Sequence, residues 1–140
     1  LIKKLIEYCG DTGSIIVYFK TFEANRNIEM ARDFPEYANA LMAINDRIVD
    51  LLVPFSKRHL YSHKQNGSAS IKKTLPAFTK LSYEGMEIAN GSQASEQYLN
   101  FINGKQTSEE TSSMLQALLK YCGQDTFAMV ELLRVIEEHI

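Results

Sequence analysis

The sequence predicts a helix-rich α/β fold built around a small parallel sheet. Two short apolar runs, residues 14–18 and 47–52, do not alternate between polar and apolar side chains, which is typical of strands buried on both faces of a parallel sheet. The residues between the two runs follow a helical period, and parallel strands need such a connection. We therefore expect two parallel strands covered by helices.

The length and composition indicate one ordinary globular domain. The chain has 140 residues, of which 45% are hydrophobic and 23% are charged, and no apolar run approaches the roughly 18 residues of a membrane span. The net charge of -2 gives no general attraction for nucleic acid, so any such binding needs local basic patches. Because the two cysteines lack metal-binding or redox spacing, we expect a cytoplasmic protein with free thiols. Because no apolar run is long enough to cross a membrane, we expect no membrane partner.

The first nine residues predict a helix. Leu1, Leu5 and Cys9 fall on one helical face, and Gly10 and Gly13 supply the end of the helix and the turn after it. Since the helical pattern starts at once and no leader precedes it, we expect the chain to be a piece of a longer protein.

Helices and a basic loop are predicted around the two strands. Thr21 is a good N-cap for a helix that Pro35 terminates, and the residues before the second strand predict another helix. From residue 54 to residue 76 the pattern predicts a long basic loop and then a short helix that Ser68 or Ser70 caps.

The last third of the chain predicts three further helices. The first starts at Asn90 and stops at Gly104, the second opens with a capping box of Thr107 and Glu110, and Gly123 permits a bend before the third. The expected buried residues are Ala94, Tyr98, Leu99 and Ile102 in the first, Met114, Leu115, Leu118, Leu119 and Cys122 in the second, and Phe127, Val130, Leu133 and Val135 or Ile136 in the third.

The candidate chemistry consists of a phenol and two carboxylates. Tyr121 and Asp125 are one helical turn apart, so both side chains leave one helix face with their Cβ atoms about 5 to 6 Å apart. Such a pair could hold a metal ion and a water molecule together. Glu23 adds a second carboxylate shortly after the first predicted strand.

The order of these features resembles the proofreading 3′–5′ exonuclease superfamily, of DEDD type and ribonuclease-H-like fold, in its tyrosine branch. Residues 14–26, 47–55, 67–76, 81–94 and 121–129 are similar to a bacterial domain family of unknown function that is assigned to this superfamily. The resemblance implies hydrolysis of nucleic acid phosphodiesters with two divalent ions, magnesium or manganese. It also implies that Tyr121 orients the attacking water, while Asp125 and Glu23 are metal ligands.

One motif of the superfamily is absent from this chain. The superfamily carries an Asp-x-Glu on its first strand, and the sequence contains no Asp-x-Glu. Two carboxylates are too few for two hard cations, so we expect activity in the intact protein and none in this chain. The missing strands would also leave the run from Ser14 to Tyr18 with an open edge, which predicts pairing between two copies.

Basic residues predict where a single-stranded nucleic acid could bind. The residues concerned are Lys57, Arg58, Tyr61, Lys64, Lys72 and Lys73. Phosphates could contact the lysines and the arginine, and a base could stack on Tyr61. A solvated surface is an equal alternative. His59 and His63 have zinc-like spacing but no third ligand.

Other interpretations of the acidic residues stay open. Tyr121 and Asp125 could be a core-edge tyrosine and a capping aspartate, and Glu23 a first-turn glutamate that interacts with the helix dipole. Asp50 could face the same cleft, although a cap or turn is the simpler role. The corresponding alternative function is a non-catalytic module that keeps the exonuclease fold and binds nucleic acid or protein.

Overall fold

The computed structural model describes residues 1–88, 90–104 and 108–140. They form two compact units, a first unit of Leu1–Ile71 and a second unit of Lys72–Ile140. The predicted helix-rich α/β class with a small parallel sheet is confirmed. The finer ribonuclease-H-like assignment stays a prediction. None of the described helices combines the length and the apolar character that crossing a membrane requires.

The first unit contains the sheet and four α-helices. In chain order its elements are α1 (Ile2–Cys9), β1 (Ile15–Val17), α2 (Lys20–Asp33), a 3-10 turn (Pro35–Tyr37), α3 (Ala38–Asp46), β2 (Ile48–Asp50), α4 (Leu52–Ser56) and a second 3-10 turn (His63–Gln65).

The two strands are parallel, as predicted, and they pair directly with each other. Ile15 pairs with Ile48, and Val17 pairs with Asp50. The ladder continues at both ends, because the amide of Ile15 donates to Arg47 and the amide of Leu51 donates to Val17, each at 2.9 Å. The backbone groups of Ile15 and Val17 therefore face β2, and those of Ile16 face the opposite edge.

Arg47 closes the turn between α1 and β1. Its guanidinium donates to the carbonyls of Gly10 at 2.6 Å, Thr12 at 2.7 Å and Gly13 at 3.1 Å, and also to the last carbonyl of α1, that of Cys9. Gly10 and Gly13 have positive φ angles of 54° and 83°, which glycine adopts without strain. The predicted end of α1 at this turn is confirmed.

A polar pair joins α2 to α3. Asn27 is the buried residue of α2, and its amide donates to Asn45 at 2.7 Å, while the amide of Asn45 donates to the carbonyl of Ala24 at 3.1 Å. Buried amides are costly unless they are paired, so this contact fixes one alignment of the two helices.

The predicted irregular loop of residues 54–76 is partly wrong. A single helical turn, α4, spans its first residues and tolerates Pro54 because the first turn of a helix needs no amide donor there. The second 3-10 turn opens with a capping box in which the side chain of Gln65 accepts from the amide of Ser62 at 3.0 Å. The predicted short helix exists as α5 (Ile71–Phe78), which begins directly after Ser70.

The second unit contains most of α5 and two longer helices. These are α6 (Gly91–Ile102) and α7 (Ser108–Glu137). The side chain of Asn90 accepts from the amide of Gln93 at 2.8 Å, so the predicted start of α6 is confirmed. The predicted bend at Gly123 is wrong, because α7 runs without interruption through it. Thr107 of the predicted capping box lies outside the described residues.

The buried face of α7 differs from the predicted one. Its seam has a heptad-like spacing, and its buried members are Met114, Tyr121, Ala128, Leu132 and Val135. The residues predicted to be buried that are exposed instead are Leu115, Leu119, Cys122, Phe127 and Val130 in α7 and Tyr98, Leu99 and Ile102 in α6. Because apolar residues occupy adjacent positions in both helices, more than one face of each could pack inward. In α7 the buried face is the one that includes Tyr121.

Candidate functional site

A cluster of two phenols and one carboxylate lies in the second unit. The hydroxyl of Tyr83 donates to Oδ1 of Asp125 at 2.6 Å. The ring of Tyr83 lies 6.3 Å from that of Tyr121, at an interplanar angle of 52°. Beside them, the side-chain amide of Gln124 donates to the carbonyl of Ser82 at 3.3 Å. The cluster therefore ties the segment after α5 to the seam of α7.

Tyr121 is held in its neutral form. Burial raises the pKa of its phenol to about 12, and a hydrogen bond to Asp125 and the negative charge of that carboxylate add to the effect. With 9% of its surface exposed, the phenol is a proton donor at physiological pH and not a base. Since that proton is donated to Asp125, the phenol oxygen can orient a water molecule by accepting a hydrogen bond from it.

Glu23 lies in the first turn of α2, which begins shortly after β1. An exposed acid in this position is stabilised by the helix dipole, by about 0.3 to 1 kcal/mol. Glu23 belongs to the first unit and Asp125 to the second unit. The convergence of these two carboxylates on one cleft therefore stays a prediction.

Asp50 caps the start of α2, and Thr21 does not. Its Oδ1 accepts from the amide of Phe19 at 2.9 Å, and its Oδ2 accepts from the amide of Lys20 at 2.8 Å. The predicted Thr21 N-cap is wrong because this carboxylate, supplied by β2, satisfies the first amides and starts the helix at Lys20. The cap role for Asp50 is confirmed.

The described residues do not form a two-metal centre. No group of three or more histidine, cysteine, aspartate or glutamate side chains among them could hold a metal ion. Magnesium requires near-octahedral oxygen coordination, and each of two ions would need several ligands. The donor set of the residues that the structure describes thus does not fit the two ions that the exonuclease resemblance implies. The zinc alternative at His59 and His63 finds no third ligand among them either.

The predicted basic residues lie on the surface of both units. In the first unit Lys57, Arg58 and Lys64 are exposed, and the Arg58 guanidinium lies 5.6 Å from the ring centroid of Tyr61. Lys72 and Lys73 are exposed in α5, in the second unit. From residue 51 to residue 83 the sequence contains no aspartate or glutamate. Binding of nucleic acid by these basic residues stays a prediction.

Sequence reasoning missed Tyr83, and it did not identify the start of α2 at Phe19 as the partner of the Asp50 cap. Tyr83 stands outside any helix or strand, so periodicity gave no sign of it. The left-handed backbone of Phe19, with φ at 79°, is uncommon for a residue other than glycine and has no signature in the sequence.

The family model described as "Domain of unknown function (DUF2779)" matches residues 1–70, which is half of the chain and nearly all of the first unit. The chain is 34% identical to "Uncharacterized protein MG366" of Mycoplasma genitalium, over 94% of this chain and 21% of that protein. It is 31% identical to "Uncharacterized protein MG366 homolog" of Mycoplasma pneumoniae, over 93% of this chain and 21% of that protein. The chain thus spans about a fifth of the length of these curated relatives. No solved structure gives a significant match.

Proposed function

The chain belongs to the family described as a domain of unknown function (DUF2779), and from that premise we propose that it is part of a metal-dependent 3′–5′ exonuclease acting on single-stranded nucleic acid. One observation carries the proposal. Tyr121 and Asp125 lie one turn apart on the same face of α7, and burial keeps the phenol protonated. A fixed proton donor beside a carboxylate suits a reaction in which water attacks a phosphodiester.

The proposal gives each residue of the chain a limited task. The Tyr121 phenol donates its proton to the carboxylate of Asp125, which holds it in place, and its oxygen accepts a hydrogen bond that orients the attacking water. Glu23 contributes a further carboxylate from the start of α2. Since the described residues do not fit two metal ions, the remaining ligands come, in this proposal, from other parts of the intact protein.

The test compares the intact protein with the 140-residue chain. Both are incubated with single-stranded DNA and RNA labelled at one end, while the manganese concentration is raised. We expect the intact protein to shorten strands from the 3′ end only when metal is present, and the isolated chain to leave them unchanged. An intact protein that degrades neither substrate at any manganese concentration would overturn the proposal.

A specific observation favours a second candidate, a non-catalytic module that binds nucleic acid or protein. Asp125 already accepts a short hydrogen bond from Tyr83, so a purely structural role satisfies its carboxylate. The acid-free residues 51–83 would supply electrostatic attraction for a polyanion. In the assay above, this candidate predicts strand binding by the intact protein without strand shortening.

A further inference from the structure

Two phenylalanines that shortly precede Glu23 in the sequence are half exposed. Phe19 has 50% of its surface exposed and Phe22 has 55%. Both lie at the start of α2, where the amide of Phe22 donates to the carbonyl of Phe19 at 3.0 Å. The guanidinium of Arg26 lies 5.5 Å from the centroid of the Phe22 ring. Two exposed rings thus lie within one turn of each other, beside the carboxylate of Glu23 in the sequence.

The position of Phe19 is fixed by contacts outside α2. Its φ of 79° and ψ of 71° place the backbone in the left-handed region, which costs free energy for a phenylalanine. Asp50 holds this conformation by accepting from the amides of Phe19 and Lys20. The carboxylate at the end of β2 therefore fixes the start of α2, from which the Phe19 ring projects.

The same carboxylate brings a basic segment close to the two rings. Oδ1 of Asp50 accepts from the amide of Leu52 at 2.9 Å as well as from that of Phe19, so α4 starts beside Phe19. The five residues of α4 rise about 7.5 Å, and Lys57 and Arg58 follow directly. No acid occurs in residues 51–71 of this unit. Lys57 and Arg58 therefore follow about 7.5 Å of helix that starts beside Phe19.

We propose that Phe19 and Phe22 form a stacking surface for unpaired nucleobases, while Lys57 and Arg58 contact the phosphates of the same strand. This inference rests on the proposed function, because the strand is taken to be the substrate. Every nucleobase has a π face, so stacking on an aromatic ring needs no particular base sequence. Cations along the backbone path add a salt-dependent attraction.

The stacking surface specifies what the substrate must be. A base in a duplex has both faces covered by its neighbours, so only an unpaired base can lie on Phe19 or Phe22. Glu23 directly follows Phe22 in the first turn of α2, so in this proposal a base stacked on Phe22 brings its phosphodiester next to that carboxylate. Phe19 and Phe22 are positioning residues in this proposal, and they take no part in bond breaking.

The test measures binding of a fluorescein-labelled eight-nucleotide single strand to the 140-residue chain by fluorescence anisotropy. Phe19→Leu and Phe22→Leu keep apolar volume and remove the π face. The matched control is Phe34→Leu, because Phe34 is 48% exposed and follows the other end of α2. We expect each of the first two variants to weaken binding by about fivefold to a hundredfold, and the control by less than about twofold.

Three further measurements make the test specific to stacking. An abasic strand of the same length should bind the wild-type chain as weakly as the normal strand binds Phe19→Leu. Replacing Lys57 and Arg58 with alanine should reduce the salt dependence of binding, by about one unit of slope for each lost phosphate contact. Thermal unfolding followed by circular dichroism checks that Phe19→Leu and Phe22→Leu keep the fold, and if one of them unfolds the other decides.

Several results would overturn the inference. No strand binding by the wild-type chain, equal binding of the abasic strand, or equal losses in all three leucine variants would each do so, and the last would indicate a general apolar surface for a protein partner. These failures are distinct from failure of the proposed function. An intact protein that shortens strands with metal while Phe19→Leu and Phe22→Leu bind normally refutes stacking alone, whereas strong stacking without any strand shortening refutes the exonuclease alone.

Discussion

The hydroxyl of Tyr83 donates a 2.6 Å hydrogen bond to the carboxylate of Asp125, which lies 42 residues later on the seam of α7. A hydroxyl bonded to a carboxylate over so short a distance is among the stronger hydrogen bonds in proteins. The same carboxylate interacts with Tyr121. Asp125 therefore interacts with two tyrosines. Tyr121 belongs to the pair predicted from the sequence, and Tyr83 does not.

Loss of this bond should destabilise the chain. Tyr83→Phe removes the donor and leaves the ring in place, so we expect a loss of about 1.5 to 3 kcal/mol in the free energy of unfolding. Urea titration followed by circular dichroism measures it. Tyr98→Phe is the matched control, since Tyr98 is exposed, and should change the stability by less than about 0.5 kcal/mol. Equal effects of the two variants would show that the Tyr83 bond contributes nothing specific.

The raised pKa of Tyr121 predicts a loss of stability at high pH. A phenol with a pKa of about 12 in the folded chain and about 10 in the unfolded chain binds its proton more tightly when folded. Its contribution is fully present below pH 10 and is lost as the pH rises toward 12, by up to about 3 kcal/mol. Tyr121→Phe should flatten that part of the curve of unfolding free energy against pH. An unchanged slope in the variant would contradict the assignment.

Asp50 should be important for stability although it is only partly buried. Asp50→Ala removes the acceptor for the amides of Phe19, Lys20 and Leu52, and we expect a loss of about 1 to 3 kcal/mol in the free energy of unfolding. Asp46→Ala is the control, because Asp46 is an exposed aspartate at the end of α3. If both substitutions cost the same, the capping account of Asp50 is wrong.

The open edge of β1 should mediate pairing between two copies of the chain. Ile16 directs its backbone groups away from β2, so Ile16→Pro removes one outward donor and leaves the ladder to β2 intact. We expect the wild-type chain to dimerise at micromolar concentration and the variant to be monomeric, as measured by light scattering. A wild-type chain that stays monomeric, or a variant that still dimerises, would exclude pairing at this edge.

The sequence was sufficient for the elements whose signal is local. The two strands were predicted because a β-branched run without alternation is typical of a parallel strand, although only Val17 and Ile48 are buried and Val49 is 45% exposed. The start of α6 at Asn90 was also predicted, since an asparagine N-cap acts within three residues.

The predictions that were wrong concern features that depend on residues far apart in the sequence. The carboxylate of Asp50 caps α2 in place of Thr21. Asp50 is about 30 residues away in the sequence and contacts α2 only once the sheet has formed. In α7, adjacent pairs such as Leu118 and Leu119 allowed two faces, and tertiary packing chose the one containing Tyr121. Tyr83 could not be linked to Asp125 because no local pattern connects a residue between helices with one on a helix.

The central claim is that Glu23 and Asp125 serve one reaction, and a double-mutant comparison in the intact protein tests it most directly. The rate of manganese-dependent strand shortening is measured for Glu23→Gln, for Asp125→Asn and for both together. If the two carboxylates act as a unit, each single substitution should lower kcat/KM at least about a hundredfold, and the double substitution should lower it no further than the worse of the two. Single variants that keep the activity of the intact protein, or losses that multiply in the double variant, would contradict the claim.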